Sequence, residues 1–187
     1  MIVPAEIVAG VTAAWRLARR EPDALAWVDA TPRGFWHSFF AAAIVLPAVL
    51  ALELLDGTFA QEGREPLRTL SVELIAYVIQ WTAFPLAMSA IADGLGRGQH
   101  YIRYIVVYNW SAVLQMALFL PVALMAAAFP GSGIMLAMVI ATALLLIYQA
   151  YIAHVALEVP GPTAAGLVLL DMLLGGLVQM TADRIAG

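Results

Sequence analysis

Five long apolar runs separated by short polar breaks dominate the chain. Trp36 to Leu55, Thr69 to Ala92, Tyr104 to Phe129, Ile134 to Leu157 and Thr163 to Met180 each hold about 18 residues or more, the length a helix needs to cross a hydrocarbon core of ~30 Å. Asp56 to Arg68 is a polar loop, Asp93-Gly94-Leu95-Gly96-Arg97-Gly98 a glycine-rich connector, and Gly131-Ser132-Gly133 a short turn. The last break, Glu158-Val159-Pro160-Gly161-Pro162-Thr163, must reverse the chain, because two prolines around a glycine cannot continue a helical ladder. Thr163 is placed to cap the helix that follows. The pattern predicts an all-α, polytopic membrane protein: a lead over 1–35, one five-helix bundle over 36–182 and a tail over 183–187. Pro47, Pro85 and Pro121 fall inside the first three spans and predict kinks.

The lead has a different period. Ile7, Val8, Val11, Trp15 and Ala18 share one side of a helical wheel, and Glu6, Arg16, Arg19 and Arg20 lie largely opposite. Such a helix can lie among lipid headgroups, with Trp15, Arg16, Arg19, Arg20, Trp27 and Arg33 touching the membrane surface. The same pattern fits an amphipathic helix packed on the end of the bundle. Arg19-Arg20-Glu21-Pro22 ends it, Asp23 to Val28 forms a second short helix, and Thr31-Pro32-Arg33-Gly34 leads into the first span. No basic region precedes the apolar residues of Met1 to Gly10, so the first span is expected to act as an uncleaved anchor.

Composition agrees with this pattern. Of 187 residues 63% are hydrophobic and 12% charged, with mean hydropathy +0.89; a water-soluble domain carries about a quarter of its residues charged. Without cysteine the chain has no disulfide, no thiolate nucleophile and no thiolate metal site. No polybasic run invites nucleic acid. All nine basic residues are arginine in an Ala- and Gly-rich chain, a usage that suggests a high-GC bacterial genome and therefore the inner membrane. With the amino terminus inside, Arg16, Arg19, Arg20, Arg33, Arg97 and Arg103 lie inside and Arg64, Arg68 and Arg184 outside, the asymmetry expected of a cytoplasmic amino terminus and a periplasmic carboxyl terminus.

Few polar residues interrupt the spans. Asp171 is the deepest charge, and no span carries an arginine or lysine to balance it. A lone charge at that depth costs several kcal/mol. It must take up a proton, face water, or accept hydrogen bonds from Gln149, Asn109, Tyr108 or His154, which the chain reversal brings to a polar cluster. Asp171 is then either a site for a proton or cation, or a polar staple between helices worth ~0.6 to 2 kcal/mol per bond. A second stripe, Glu73, Tyr77, Gln80 and Phe84, is expected to face Asp171, Gly175 and Gln179, with Gly175 allowing close helix approach. Tyr101, Tyr104, Tyr108, Ser111 and Gln115 make a third. His154 and Glu158 stand one turn apart, but a metal needs a further ligand, so the expected contact is a hydrogen bond between them. The nucleophile elbow, the zincin helix and the Walker loop are all missing from the sequence, which predicts neither an enzyme nor a cofactor.

The amphipathic lead ending in Arg19-Arg20-Glu21-Pro22, the connector running into Tyr101-Ile102-Arg103-Tyr104-Ile105-Val106-Val107-Tyr108, and Tyr148 to Leu157 followed by Val159-Pro160-Gly161-Pro162-Thr163-Ala164-Ala165 together resemble the Yip1-domain family of integral membrane proteins. The resemblance spans nearly the whole chain, although the family's eukaryotic Asp-Leu-Tyr-Gly-Pro signature is absent. It implies a five-helix fold, a cytosolic amino terminus and no known chemistry. Two functions follow as expectations. One is a scaffold, accessory subunit or membrane organiser acting through lipids, other membrane proteins or self-association. The other is a small transporter or proton-coupled channel centred on Asp171, with Gln149, Asn109 and Tyr108 along its path.

Overall fold

The computed structural model describes residues 4–60, 65–129 and 131–187. Among them the chain forms seven α-helices: α1 (Pro4–Ala18), α2 (Pro32–Ser38), α3 (Phe40–Leu55), α4 (Pro66–Gly94), α5 (Tyr101–Ala128), α6 (Ser132–Leu157) and α7 (Gly161–Ala186). Five segments are long and apolar enough to span a bilayer: Pro32–Leu55, which joins α2 to α3, then Pro66–Gly94, Gly98–Ala128, Ser132–Leu157 and Gly161–Ala186. At 1.5 Å per residue the shortest of the last four is about 39 Å long and exceeds the hydrocarbon core. This is a multi-pass membrane protein.

The helices begin and end within a few residues of the apolar runs, except that α7 continues past Met180 to Ala186. Arg184 in its last turn suits the negative end of the helix dipole, and Arg68 Nη2 donates to the Ile185 carbonyl at 2.6 Å, tying the start of α4 to the end of α7. Thr163 does not cap α7, which starts two residues earlier at Gly161. The side-chain cap is at α2, where Thr31 Oγ1 accepts from the Gly34 amide at 3.1 Å. Pro47, Pro85 and Pro121 lie within α3, α4 and α5.

The central helix is α5, which packs on α6, α3, α2 and α1, while α7 bridges α6 and α4. One end of the bundle, here the amino end, gathers α1, α2, the start of α5 and the α6–α7 turn. The other, the carboxyl end, holds the end of α3, the start of α4 and the end of α7. The large apolar side chains are packed at the amino end, where Leu17, Phe84, Met88, Tyr104, Ile105, Ile152, Leu157 and Leu167 form one buried cluster, while small and polar residues, Thr69, Glu73, Ala182 and Ala186, are buried between α4 and α7 at the other. Farther along, Leu118, Leu136, Val139, Leu144, Leu173 and Leu177 point outward, as lipid-facing side chains do.

Of the two readings of the lead, the packed one describes α1. Its buried face is Gly10, Ala13, Ala14 and Leu17, at helical spacing, and Trp15 remains 49% exposed. These small residues let α1 approach α5 closely. A Cβ on Gly10 would lie 2.5 Å from Trp110 Cδ1, and the Tyr148 hydroxyl donates to the Ala14 carbonyl at 2.6 Å. Gly10→Leu is therefore expected to unseat α1 at an overpacking cost of about 1 to 3 kcal/mol. Faster tryptic cleavage at Arg19 and Arg20 in the intact protein would register it, and unchanged cleavage would contradict the seat.

Candidate functional site

The chain reversal does bring Asp171 to a tyrosine. The Tyr108 hydroxyl on α5 donates to Asp171 Oδ2 on α7 at 2.8 Å. Both line a half-open cavity of about 480 Å³ between α4, α5, α6 and α7. Gln149, Gln80, Gln115 and Thr142 add polar groups to its wall, and Trp81, Phe84 and Phe119 add aromatic ones. No basic side chain is among its lining residues. A carboxylate so placed is stabilised by the tyrosine bond and by whatever proton, water or cation the cavity admits.

Gly175 follows Asp171 by one turn on the same face and also lines the cavity. A Cβ there would meet no atom within 4 Å. The expected close helix approach at Gly175 is thus not what the structure has, because the missing side chain widens the cavity instead. One turn further, Gln179 joins the second stripe. Gln80 Nε2 donates to Gln179 Oε1 at 3.2 Å, and Gln179 Nε2 donates to Glu73 Oε2 at 3.2 Å. These residues, with Tyr77 and Glu53, line a smaller cavity of about 40 Å³ between α3, α4 and α7, enough for a water or two. The Tyr77 hydroxyl itself turns to the Ala42 carbonyl on α3, at 2.7 Å.

Two members of the expected cluster lie elsewhere. Successive residues on a helix point about 100° apart, so aiming Tyr108 at α7 turns Asn109 away from Asp171. Asn109 is fully buried and donates through Nδ2 to Ser38 Oγ of α2 at 2.9 Å, while Ser38 donates to the Phe35 carbonyl at 2.7 Å. It is a staple between α5 and the start of the first span. His154 is exposed at the end of α6 and pairs through Nδ1 with the Val159 carbonyl at 2.6 Å, not with Glu158. The left-handed backbone of Glu158, φ 56°, swings its carboxylate toward Arg103 Nη2 at 2.9 Å and His100 Nε2 at 3.5 Å.

Arg103, Glu158 and His100 thus form a second polar group, which helical spacing within one span does not reveal. Arg103 also donates through Nε and Nη2 to the Ala156 carbonyl, at 3.0 and 2.6 Å, and so satisfies the free end of α6 with a cation where the helix dipole is negative. The signal in the sequence was an arginine one turn into a span, a depth at which a protein partner is expected. The bond from Arg103, with His100 nearby, holds the Glu158 carboxyl below its ordinary value of 4.5. A depressed acid contributes stability above its unfolded pKa, and the contribution is lost as pH falls through the folded value. Amide exchange at the α6–α7 turn is therefore expected to rise as pH drops below about 4.5, and to stop responding in Glu158→Gln, after correction for intrinsic exchange.

The residues expected at the membrane surface sit on the amino end. Trp15, Trp27 and Trp36 are 49%, 57% and 71% exposed, and exposed tryptophan is the residue type that favours headgroup level. The arginines are engaged within the protein. Arg16 Nε donates to Glu21 Oε2 at 2.8 Å, Arg19 approaches the same carboxylate at 3.3 Å, Arg33 Nη2 donates to Glu6 Oε1 at 3.0 Å, and Arg20 lies over the Tyr151 ring, 4.3 Å from its centroid. The Arg16 bond keeps the Glu21 carboxyl below the usual range. No protein-family model, curated protein or solved structure gives a significant match to this chain.

Proposed function

We propose that this is a small, non-enzymatic transport protein of the bacterial cytoplasmic membrane that takes up a proton or small cation at Asp171. The observation that carries the reading is a carboxylate bonded to Tyr108 on the wall of a roughly 480 Å³ cavity whose lining holds no cation. Ionisable groups at that depth are expensive, and pathways for protons and ions are where they are found. Aromatic walls at Trp81, Phe84 and Phe119 suit a cation as well. A cytoplasmic amino terminus is supported by Arg16, Arg19, Arg20, Arg33, Arg97 and Arg103 at the amino end against Arg68 and Arg184 at the other; Arg64 lies outside the described residues.

Proteoliposomes loaded with a pH-sensitive dye, under a valinomycin-set potassium potential, test the reading. Acidification faster than in empty liposomes is expected; identical rates would remove it. A second reading, a Yip1-like scaffold, accessory subunit or membrane organiser acting through other membrane proteins or self-association, is supported by the exposed tryptophans Trp15, Trp27 and Trp36. It foresees no flux and a stable larger complex on copurification from native membranes.

A further inference from the structure

We infer that, in the conformation the structure shows, Asp171 exchanges its proton or cation with the carboxyl-terminal face of the membrane alone. The inference concerns access to the site proposed above and holds whether or not net transport follows.

Asp171 lies nearer the other face. Counting along α7, it is about 15 Å from the amino end of the helix and about 22 Å from its carboxyl end, at 1.5 Å per residue. The shorter route is closed. Phe84 and Tyr108 rings, with centroids 5.0 Å apart, form the cavity floor, and Tyr104 packs beneath them, edge-on to Phe84 at 6.3 Å and tilted against Tyr108 at 6.0 Å. Below these rings Met88, Ile105, Ile152 and Leu17 are all within 1% of complete burial, and Tyr148 pins α1 across the end. An apolar plug of this density holds neither water nor a polar partner for a migrating ion.

The longer route is polar. From Asp171 the α7 face presents Gly175, whose absent side chain leaves open space, and then Gln179. Gln80 borders both the large cavity and the small one. The Gln80, Gln179 and Glu73 side chains are hydrogen-bonded in series, and Glu53, in the last turn of α3 at the carboxyl end, lines the same small cavity. The amides and carboxylates thus make a file from mid-bilayer to one surface only.

The chain has no cysteine, so each introduced thiol is unique. Asp171→Cys, Gly175→Cys and Gln179→Cys would be made in the full-length protein, reconstituted, and exposed to a membrane-impermeant cationic methanethiosulfonate from either face. All three are expected to react at least about tenfold faster from the carboxyl-terminal face, and Gly175→Leu added to Asp171→Cys should slow labelling by a similar factor by filling the path. Equal rates from both faces, faster labelling from the amino-terminal face, or a Gly175 thiol that never reacts would overturn the inference. An Asp171 thiol left unreacted while the Gly175 thiol labels would also overturn it. If Asp171→Cys fails to fold, Gly175→Cys and Gln179→Cys decide alone. One-sided labelling without proton flux would leave access standing and remove transport. Flux with two-sided labelling would do the reverse.

Discussion

Asp171→Asn is expected to reduce proton flux in proteoliposomes by about tenfold or more while leaving the protein folded. Asparagine matches aspartate in shape, and its amide oxygen can still accept from the Tyr108 hydroxyl that now bonds Oδ2 at 2.8 Å. The staple between α5 and α7 therefore survives, and such bonds are worth only ~0.6 to 2 kcal/mol in a membrane. What the amide lacks is the capacity to ionise, and with no basic group in the cavity wall no neighbour supplies it. The two roles of Asp171 thus separate cleanly. Lost flux with unchanged melting supports a transport site. A variant that melts lower and shows no flux to lose in the parent protein supports a structural staple.

Phe84→Ala is expected to have the largest effect on stability. Phe84 is 1% exposed, meets Tyr104 edge-to-face and packs at a tilt against Tyr108, at the point where the packed amino end meets the cavity. Truncating a buried phenylalanine costs about 3 to 5 kcal/mol through lost contacts and the void left behind. Here the void would also join the cavity above it. Besides a lower midpoint in reversible unfolding from detergent, the variant should let the Asp171 thiol react from the amino-terminal face. A stable variant that kept that face closed would show that Phe84 is not the floor.

Much of the architecture was legible because a bilayer leaves a helix little choice. Twenty apolar residues with satisfied backbone can do little but span, so the five runs and five spans agree to within a few residues, except that the first is broken at Phe39 into α2 and α3 and that α7 runs on. Its extension was hidden by Asp183 and Arg184, which look like a tail in a hydropathy count and are an ordinary polar last turn. The seat of α1 is marked by its small residues rather than its large ones: Gly10, Ala13, Ala14 and Leu17 are the face that packs, whereas Trp15 stays about half-exposed. The pairing of Tyr108 with Asp171, and of Gln80, Gln179 and Glu73, followed from helical spacing and depth. Asn109 matches Asp171 in depth but not in direction, whereas His154 misses in depth, lying about 5 Å from the end of α6 when Asp171 is about 15 Å from the start of α7. Neighbours on a helix at similar depth can face different partners, and only the packing of α2 on α5 shows that Asn109 looks toward Ser38. Gly175 illustrates the converse, since a glycine on a polar face reads equally as a contact or as a space.

The central claim is that five crossings place a sealed end and a polar end on opposite faces of the membrane, with Asp171 between them. Reporter fusions at the two termini of the intact protein, one fluorescent only inside the cell and one enzymatically active only outside, measure this directly. The account predicts an amino terminus in the cytoplasm and a carboxyl terminus beyond the membrane. Both termini on the same side would mean an even number of crossings and would contradict it.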